Sequence, residues 1–333
     1  MSDIIKTNSA YIISASSVVG GQEKAGPLGD CFDLWDERDD TFGKDTWEKT
    51  ESEMQRLALK CAMEKKGFGE KDLDIVFAGD LINQCISSGY GLVDYDVPFL
   101  GIFGACSTCA EGLLLSSVFS SFDKRRCAAV TSSHNCSAER QFRFPVEYGS
   151  QRTPTSQWTV TGSAAFIVSP ESGDDAKIKI SDVMIGKSID AGITDVNNMG
   201  AAMAPAAADT IERYLRESGR TPESFDYIIT GDLGVEGSSI LLEILNKKGY
   251  DISYRHADCG KEIYDVKKQD MHSGGSGCGC SAVVMASYFL ERMKKGEISD
   301  VLFIGTGALM NAMSIQQGNS IPGIGHLVHI VRE

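Results

Sequence analysis

The fold follows from one stretch of the sequence, Phe103-Gly104-Ala105-Cys106-Ser107-Thr108-Cys109-Ala110-Glu111-Gly112. The apolar run from Val97 to Phe103 predicts a short strand before the turn, and the small and apolar residues from Leu113 to Phe119 predict a helix after it. A thiol at such a turn lies beside free backbone N–H groups and the positive end of the helix dipole, which favour both a thiolate and a bound anion. Cys106 is therefore predicted either to attack a substrate or to line an anion pocket.

The composition is that of an ordinary globular protein, with 333 residues, 42% of them apolar and 23% charged. The net charge of −14 argues against nucleic acid and anionic lipid as direct partners. The first eight residues carry no basic segment followed by an apolar core, and no apolar run approaches the ~20 residues that span a bilayer. We expect no signal peptide, no transmembrane helix and reduced thiols at the ten cysteines.

The sequence contains an internal repeat. Asp74-Ile-Val-Phe-Ala-Gly79-Asp80-Leu81 corresponds to Asp226-Tyr-Ile-Ile-Thr-Gly231-Asp232-Leu233, and the two glycines are 152 residues apart. Two further pairs follow in the same order: Gly104-Ala-Cys106 with Ser276-Gly-Cys278, and the strand from Cys127 with the strand from Val301. The repeat predicts two similar halves, residues 1–170 with the Cys106 turn and residues 171–333.

Strands alternate with helices in both halves, which predicts parallel pairing and sheets covered by helices. One strand is predicted over Ile4 to Val18, a helix over Pro205 to Glu217, and closing strands over Ile315 to Ser320 and Gly323 to Val331. The polar, arginine-rich segment 134–160 interrupts the pattern and is predicted to be a long functional loop.

A duplicated α/β fold with a cysteine at the first half's strand-to-helix turn resembles the thiolase superfamily, which includes ketoacyl-ACP synthase III. A narrower resemblance, to the stage V sporulation protein AD (SpoVAD) family, is carried by Ala78-Gly-Asp-Leu-Ile-Asn-Gln84, Phe103-Gly-Ala-Cys-Ser-Thr108, Thr131-Ser-Ser-His-Asn135, Ala138-Glu-Arg-Gln-Phe-Arg143, Ala202-Met-Ala-Pro-Ala-Ala-Ala-Asp-Thr210 and Gly274-Gly-Ser-Gly-Cys278. The resemblance covers the whole chain and implies a thiolase-like fold layered α-β-α-β-α.

The resemblance also implies a function. It implies a protein that binds dipicolinic acid (pyridine-2,6-dicarboxylate), alone or as its calcium chelate, and works with membrane-embedded SpoVA proteins. Together they move this compound into developing spores and out again at germination. The expected place is the cytoplasmic side or periphery of the spore inner membrane, the expected assembly is a homodimer, and no cofactor or metal is expected.

Condensing enzymes of this superfamily pair the cysteine with a histidine and an asparagine or second histidine in the other half, which supply a base and oxyanion donors. By chain order these positions fall near Gly231-Asp232-Leu233 and Gly274-Gly275-Ser276, where neither residue type occurs. His272 is the one nearby substitute. We therefore predict a binding protein that is not an enzyme; the alternatives are acyl transfer by Cys106, alone or with His272, and a docking platform for membrane partners.

A dicarboxylate pocket needs donors and an apolar slot for the ring. The predicted ligand-binding residues are Cys106, Ser107 and Thr108 at the turn, His134, Arg140, Phe142, Arg143 and Tyr148 in the loop, and Asp232 in the second half. Two alternatives stay open. Arg140 and Arg143 could pair with Glu139 and Glu147 at the surface, and Asp80 and Asp232 could cap the helices that follow them.

Overall fold

The computed structural model describes residues 2–36, 41–142, 151–173 and 176–333. The strands in these ranges are β1 (Ile4–Lys6), β2 (Tyr11–Val19), β3 (Leu34–Trp35), β4 (Ile75–Gly79), β5 (Phe99–Gly101), β6 (Cys127–Ser133), β7 (Trp158–Thr159), β8 (Gly162–Ser169), β9 (Ile178–Met184), β10 (Tyr227–Thr230), β11 (His256–Asp258), β12 (Gly275–Ser276), β13 (Asp300–Ala308) and β14 (Gly323–Arg332). The helices are α1 (Gly21–Lys24), α2 (Trp47–Glu64), α3 (Ile86–Gly91), α4 (Thr108–Asp123), α5 (Asn135–Phe142), α6 (Met199–Ser218), α7 (Gly234–Lys247), α8 (Cys259–Glu262), α9 (Cys278–Val284), α10 (Leu290–Lys295) and α11 (Ala312–Gln316), with a π-helical turn at Met285–Phe289.

Across the described ranges, the main sheet has 12 strands in two halves, and in each half one short strand lies off the main order: β3 pairs with β2, and β1 pairs with β9. Its strand order is β5-β4-β6-β8-β2-β9-β14-β13-β10-β11, and the halves join through one residue pair, Tyr11 with Lys179. From each outer edge inward the strands occupy equivalent places, so β4 corresponds to β10 and β6 to β13. This confirms the duplication that the sequence repeat predicts. The predicted division after residue 170 lies between the end of β8 and the start of β9.

The prediction of parallel pairing is only partly correct. The outer three strands of each half, β5-β4-β6 and β11-β10-β13, are parallel, but β8 and β14 run antiparallel to β6 and β13. A parallel return needs a crossover that carries the chain to the other end of the sheet. Here the segments that contain α5 and α11 stay near the ends of the strands that they follow, where both helices line a cavity.

Helices form three layers around the two half-sheets. The central helix α4 contacts strands of both halves. The central helix α9, which belongs to the second half of the sequence, contacts strands of the first half. Helix α2 packs on the outer face of the first half, and α6 packs on that of the second half. Buried apolar clusters fill each interface, which confirms the layered α-β-α-β-α architecture. In the described ranges, no helix combines the length and the apolar character needed to cross a membrane.

Several local predictions need correction. The first predicted strand is two strands, because residues 7–10 separate β1, which pairs with β9, from β2, which pairs with β8. Helix α6 begins six residues before Pro205, at an Asn198 cap. The segment from Ile315 to Ser320 is no strand: Asn311 caps α11 there through the backbone N–H of Ser314. Within the predicted loop 134–160, residues 135–142 form α5 and residues 158–159 form β7.

Candidate functional site

The Cys106 turn is tightly built. Ala105 has a φ of 51°, a left-handed conformation that is uncommon outside glycine, and it sets Cys106 at the start of α4. The carbonyl of Gly104 accepts the backbone N–H of Ser107 at 3.0 Å and the Ser107 hydroxyl at 2.6 Å. Strand β13 approaches this turn so closely that a Cβ added at Gly307 would lie 2.5 Å from the Gly104 oxygen. The second half of the chain thus supports the turn of the first half.

The Cys106 thiol is held in a neutral state. Its side chain is buried, and its Sγ lies 3.8 Å from the Ser276 Oγ. Burial raises the pKa of the Cys106 thiol well above its ordinary value, and the nearby Asp232 raises it further. Desolvation therefore outweighs the helix dipole, and the thiolate that the turn alone suggested does not form at neutral pH.

Asp232 organises the contacts between the two glycine-rich turns. Its Oδ2 accepts the Ser276 hydroxyl at 2.7 Å and the Gly277 N–H at 2.9 Å, and its Oδ1 accepts the Thr306 hydroxyl at 2.7 Å. Among the described residues, no lysine or arginine side chain hydrogen-bonds to this carboxyl. Burial raises the pKa of Asp232, although these hydrogen bonds act in the opposite direction.

The capping role proposed for the repeated aspartates holds for one of them. Asp80 accepts the N–H groups of Ile82 and Ser88 and so caps the start of α3. The start of α7 is capped by another acid, Asp258, which accepts the N–H groups of Leu233 and Gly234. Burial raises the pKa of Asp258 to about 7. Because Asp258 caps α7, the Asp232 carboxyl instead accepts hydrogen bonds from Ser276 and Thr306 beside Cys106.

A cavity of about 360 Å³ opens above Cys106. Its apolar wall consists of Leu81, Phe103, Ala105, Ala138, Phe142, Val196, Met199, Ala308, Met310, Ala312 and Ile315. Its polar groups are Cys106, Glu139, Gln151, Gln157, Thr159, Asn197, Ser276 and Gln316. Glu139 is the one charged side chain among these described lining residues. The cavity thus combines an apolar slot with hydroxyl and amide groups, the composition of a small-molecule site.

The cavity brings together only part of the predicted ligand-binding set. Cys106 and Phe142 line it, and Asp232 lies behind Ser276. Ser107 and Thr108 are buried, and their hydroxyls donate to the Gly104 and Ala105 carbonyls of their own turn. Neither hydroxyl faces the cavity.

The loop residues are placed in different ways. His134 is buried, and its Nδ1 accepts the Cys136 N–H at the start of α5. Arg140 forms an ion pair with Glu48 and lies over the Trp47 ring, 5.2 Å from its centroid. This surface pairing matches the alternative reading of Arg140, with a different partner. Arg143 and Tyr148, like Glu147, lie outside the described residues.

His272 does not serve as a partner for Cys106 in this arrangement. Its Nδ1 hydrogen-bonds to the Thr153 carbonyl at 2.6 Å, and its Nε2 lies 3.3 Å from Asp270. It is absent from the described cavity lining. The side chains of Ser276 and Asp232 lie beside Cys106 instead.

Sequence reasoning missed several lining residues. Asn197 and Met199 precede or begin α6, and Met310 and Gln316 belong to the segment around α11. Thr306, which contacts Asp232 and does not line the cavity, could have been found, because it lies near the carboxyl end of a buried strand, where α/β proteins place functional groups. Ser276 belongs to a quoted motif, yet only the pairing of β12 with β7 brings it to the cavity.

The neutral thiol makes a prediction about labelling. At pH 8, iodoacetamide is expected to alkylate Cys106 at least about 100-fold more slowly than Cys31, because the reactive thiolate is suppressed and the side chain is buried. Peptide mass spectrometry over a time course measures both rates in the same sample. Cys31 is exposed and is the internal control. Equal rates would show that Cys106 is accessible and ionised.

Three comparisons with known proteins identify the family and the fold. The family model described as "Stage V sporulation protein AD (SpoVAD)" matches residues 2–331. Stage V sporulation protein AD of Bacillus subtilis (strain 168) is 43% identical over 319 residues, which cover 95% of this chain and 92% of the relative.

Solved structures of condensing enzymes share the fold at low identity. 3-Oxoacyl-[acyl-carrier-protein] synthase III from Aquifex aeolicus VF5 has a TM-score of 0.57 at 13% identity, covering 96% of this chain and 99% of that one. Cerulenin-bound OleA from Xanthomonas campestris has a TM-score of 0.63 at 13% identity, covering 98% of each chain. The fold is therefore thiolase-like, and the sequence match over nearly the whole length establishes that the chain belongs to the stage V sporulation protein AD family.

Proposed function

We propose that this sporulation protein binds dipicolinic acid in the cavity above Cys106, without acyl chemistry, and acts with SpoVA membrane proteins in moving that compound. The observation that carries the proposal is the buried Asp232 beside Cys106. Asp232 raises the pKa of the Cys106 thiol and so opposes a thiolate, and neither Asp232 nor Ser276 is the histidine or asparagine that condensing enzymes pair with their cysteine. A cavity that could hold a small molecule is nevertheless present above Cys106.

The cavity suits a small aromatic acid in size and lining. Its volume of about 360 Å³ lies at the lower end of ligand sites in proteins. Phe103, Phe142 and Met199 offer apolar faces to a flat ring, and Asn197 and Gln316 offer amide N–H groups to carboxylates. The Glu139 carboxylate also suits a ligand that arrives as its calcium chelate, because calcium prefers oxygen ligands.

Calorimetric titration tests this proposal. Dipicolinate is expected to bind, and pyridine-2-carboxylate, which lacks one carboxylate, to bind at least about tenfold more weakly. Asn197→Ala and Gln316→Ala are each expected to weaken dipicolinate binding by about tenfold, since each removes one amide donor. Asn246→Ala, at an exposed position of α7, is the matched control and should leave Kd unchanged. Absence of both heat and thermal stabilisation with dipicolinate would contradict the proposal.

Acyl transfer by Cys106 is the competing function, and the left-handed Ala105 before Cys106 favours it. Such a turn presents a side chain at a helix start, as a nucleophile requires. The test is intact-protein mass spectrometry after incubation with acyl-CoA. An acyl adduct that forms on the wild-type protein and is absent from Cys106→Ala would support this alternative. No adduct, together with unchanged dipicolinate binding by Cys106→Ala, would exclude it.

The proposed partners are a second copy of this chain and the SpoVA proteins at the spore inner membrane. Strand β5 lies at an edge of the main sheet, and its Phe99 and Leu100 are exposed, as is Phe103 beside the cavity. An apolar strand edge favours pairing with another chain, which supports a homodimer. Analytical ultracentrifugation of the wild type and Leu100→Lys measures the oligomeric state. Cavity variants that still support transport in spores would favour a docking platform instead.

A further inference from the structure

We infer that Asp232 takes up a proton when the cavity binds an anion, and that this proton turns the Ser276 hydroxyl from the protein toward the ligand. The inference rests on the proposed function, since dipicolinate is the anion considered. It assigns Asp232 as a positioning residue, because it acts on the ligand through Ser276. Binding is then coupled to pH.

The surroundings of Asp232 make a second negative charge costly. The groups that face it are the Cys106 thiol, the Ser276 hydroxyl and Gly277 N–H, the Thr306 hydroxyl, the carboxyl of Asp258, and the thiols of Cys259 and Cys280. None of these described groups is a cation. Like charges repel strongly in a site from which water is excluded. An anion that enters beside Ser276 therefore favours the protonated form of Asp232.

The hydrogen-bond geometry accommodates the proton. In the ionised state the Ser276 O–H donates to the Asp232 Oδ2 across 2.7 Å. A proton from solvent forms an O–H bond at that Oδ2, which then donates to the Ser276 Oγ. The Gly277 N–H and the Thr306 hydroxyl keep their places as donors to the carboxyl. The carboxyl loses its charge, and of the remaining atoms only the Ser276 hydroxyl hydrogen must rotate.

The same proton releases a donor for the ligand. Once Asp232 donates to Ser276, the Ser276 hydroxyl hydrogen is free to turn toward the cavity that Ser276 lines. One protonation thus removes a repulsive charge and adds a hydrogen bond to a ligand carboxylate. Burial, which raises the pKa of Asp232, makes this uptake easier near neutral pH. Lower pH is expected to tighten binding, and higher pH to release the anion.

The test is calorimetric titration of dipicolinate in buffers of different ionisation enthalpy, phosphate and Tris, across about pH 6 to about 8.5. The wild type is expected to take up about one proton per ligand above the pKa of the free protein's Asp232, with Kd rising up to about tenfold per pH unit. Asp232→Asn is expected to lower the uptake by about one proton and flatten the pH profile. Ser276→Ala should keep the uptake and weaken binding.

The matched control is Asp80→Asn, which removes the repeat-related buried carboxyl. Asp80 hydrogen-bonds at the start of α3 and does not line the cavity, so proton uptake should stay as in the wild type. Binding without buffer dependence in the wild type, or unchanged uptake in a folded Asp232→Asn, would overturn the inference while the proposed function stands. No dipicolinate binding at any pH would contradict both. If Asp232→Asn fails to fold, the wild-type buffer series decides.

Discussion

Gly307→Ala is expected to lower the free energy of unfolding by about 2–3 kcal/mol, the usual cost of forcing an extra methyl group into a packed interior. The new Cβ would lie 2.5 Å from the Gly104 carbonyl oxygen and 3.0 Å from the Ser107 backbone nitrogen. Both atoms belong to the backbone of the Cys106 turn, so they yield only if α4 moves away from β13. Urea unfolding followed by circular dichroism measures the loss.

The same displacement is expected to weaken ligand binding, because Cys106 and Ala105 line the cavity. Gly89→Ala is the matched control: an added Cβ there meets no atom within 4 Å, and Gly89 lies in α3. Alanine is the better helix former, so this change should leave stability equal or raise it by up to about 1 kcal/mol. Equal stabilities of the two variants would contradict the view that β13 supports the turn.

Glu51→Gln is expected to reduce the pH dependence of stability. Glu51 is fully buried on α2, where it accepts the hydroxyls of Ser132 at 2.9 Å and Ser137 at 2.8 Å. Burial, with the charge of Asp80, raises the pKa of Glu51 from 4.5 to about 8. The protonated carboxyl is therefore favoured in the folded state. Its contribution to stability is fully present below pH 4.5 and is lost as the pH rises through about 8.

The wild type should thus become less stable between about pH 5 and about pH 9, by several kcal/mol at about 1.4 kcal/mol per pKa unit. The variant should show a flatter profile and exceed the wild type at about pH 9. Glutamine fits because Ser137 Oγ, which also donates to the His134 carbonyl at 3.1 Å, can accept its N–H. Glu64→Gln, at an exposed site paired with Lys60, should change stability by less than about 1 kcal/mol. A wild-type free energy of unfolding that does not fall over this pH range would contradict a raised pKa of the buried Glu51.

Much of the fold was predictable from local pattern. The Gly-Asp-Leu repeat predicts the duplication because strand and turn chemistry depend on neighbouring residues, and β4 and β10 occupy equivalent places. Strand directions were less predictable. Alternation of strands and helices does not reveal that the α11 segment stays at one end of the sheet, so the antiparallel return of β14 was missed.

The candidate site was also only partly predictable from the sequence. The sequence by itself determined that Cys106 stands at a strand-to-helix turn and that an aspartate, Asp232, follows the strand where the condensing enzymes' histidine is expected. Only the tertiary structure decided how these groups behave. It pairs Arg140 with Glu48 at the surface, turns the Ser107 hydroxyl into its own loop, and brings Ser276 between Cys106 and Asp232. Those choices depend on burial and on partners distant in the chain. Burial likewise raises the pKa of Cys106 and of Asp232, because the cost of removing a charge from water appears only once the two halves enclose it.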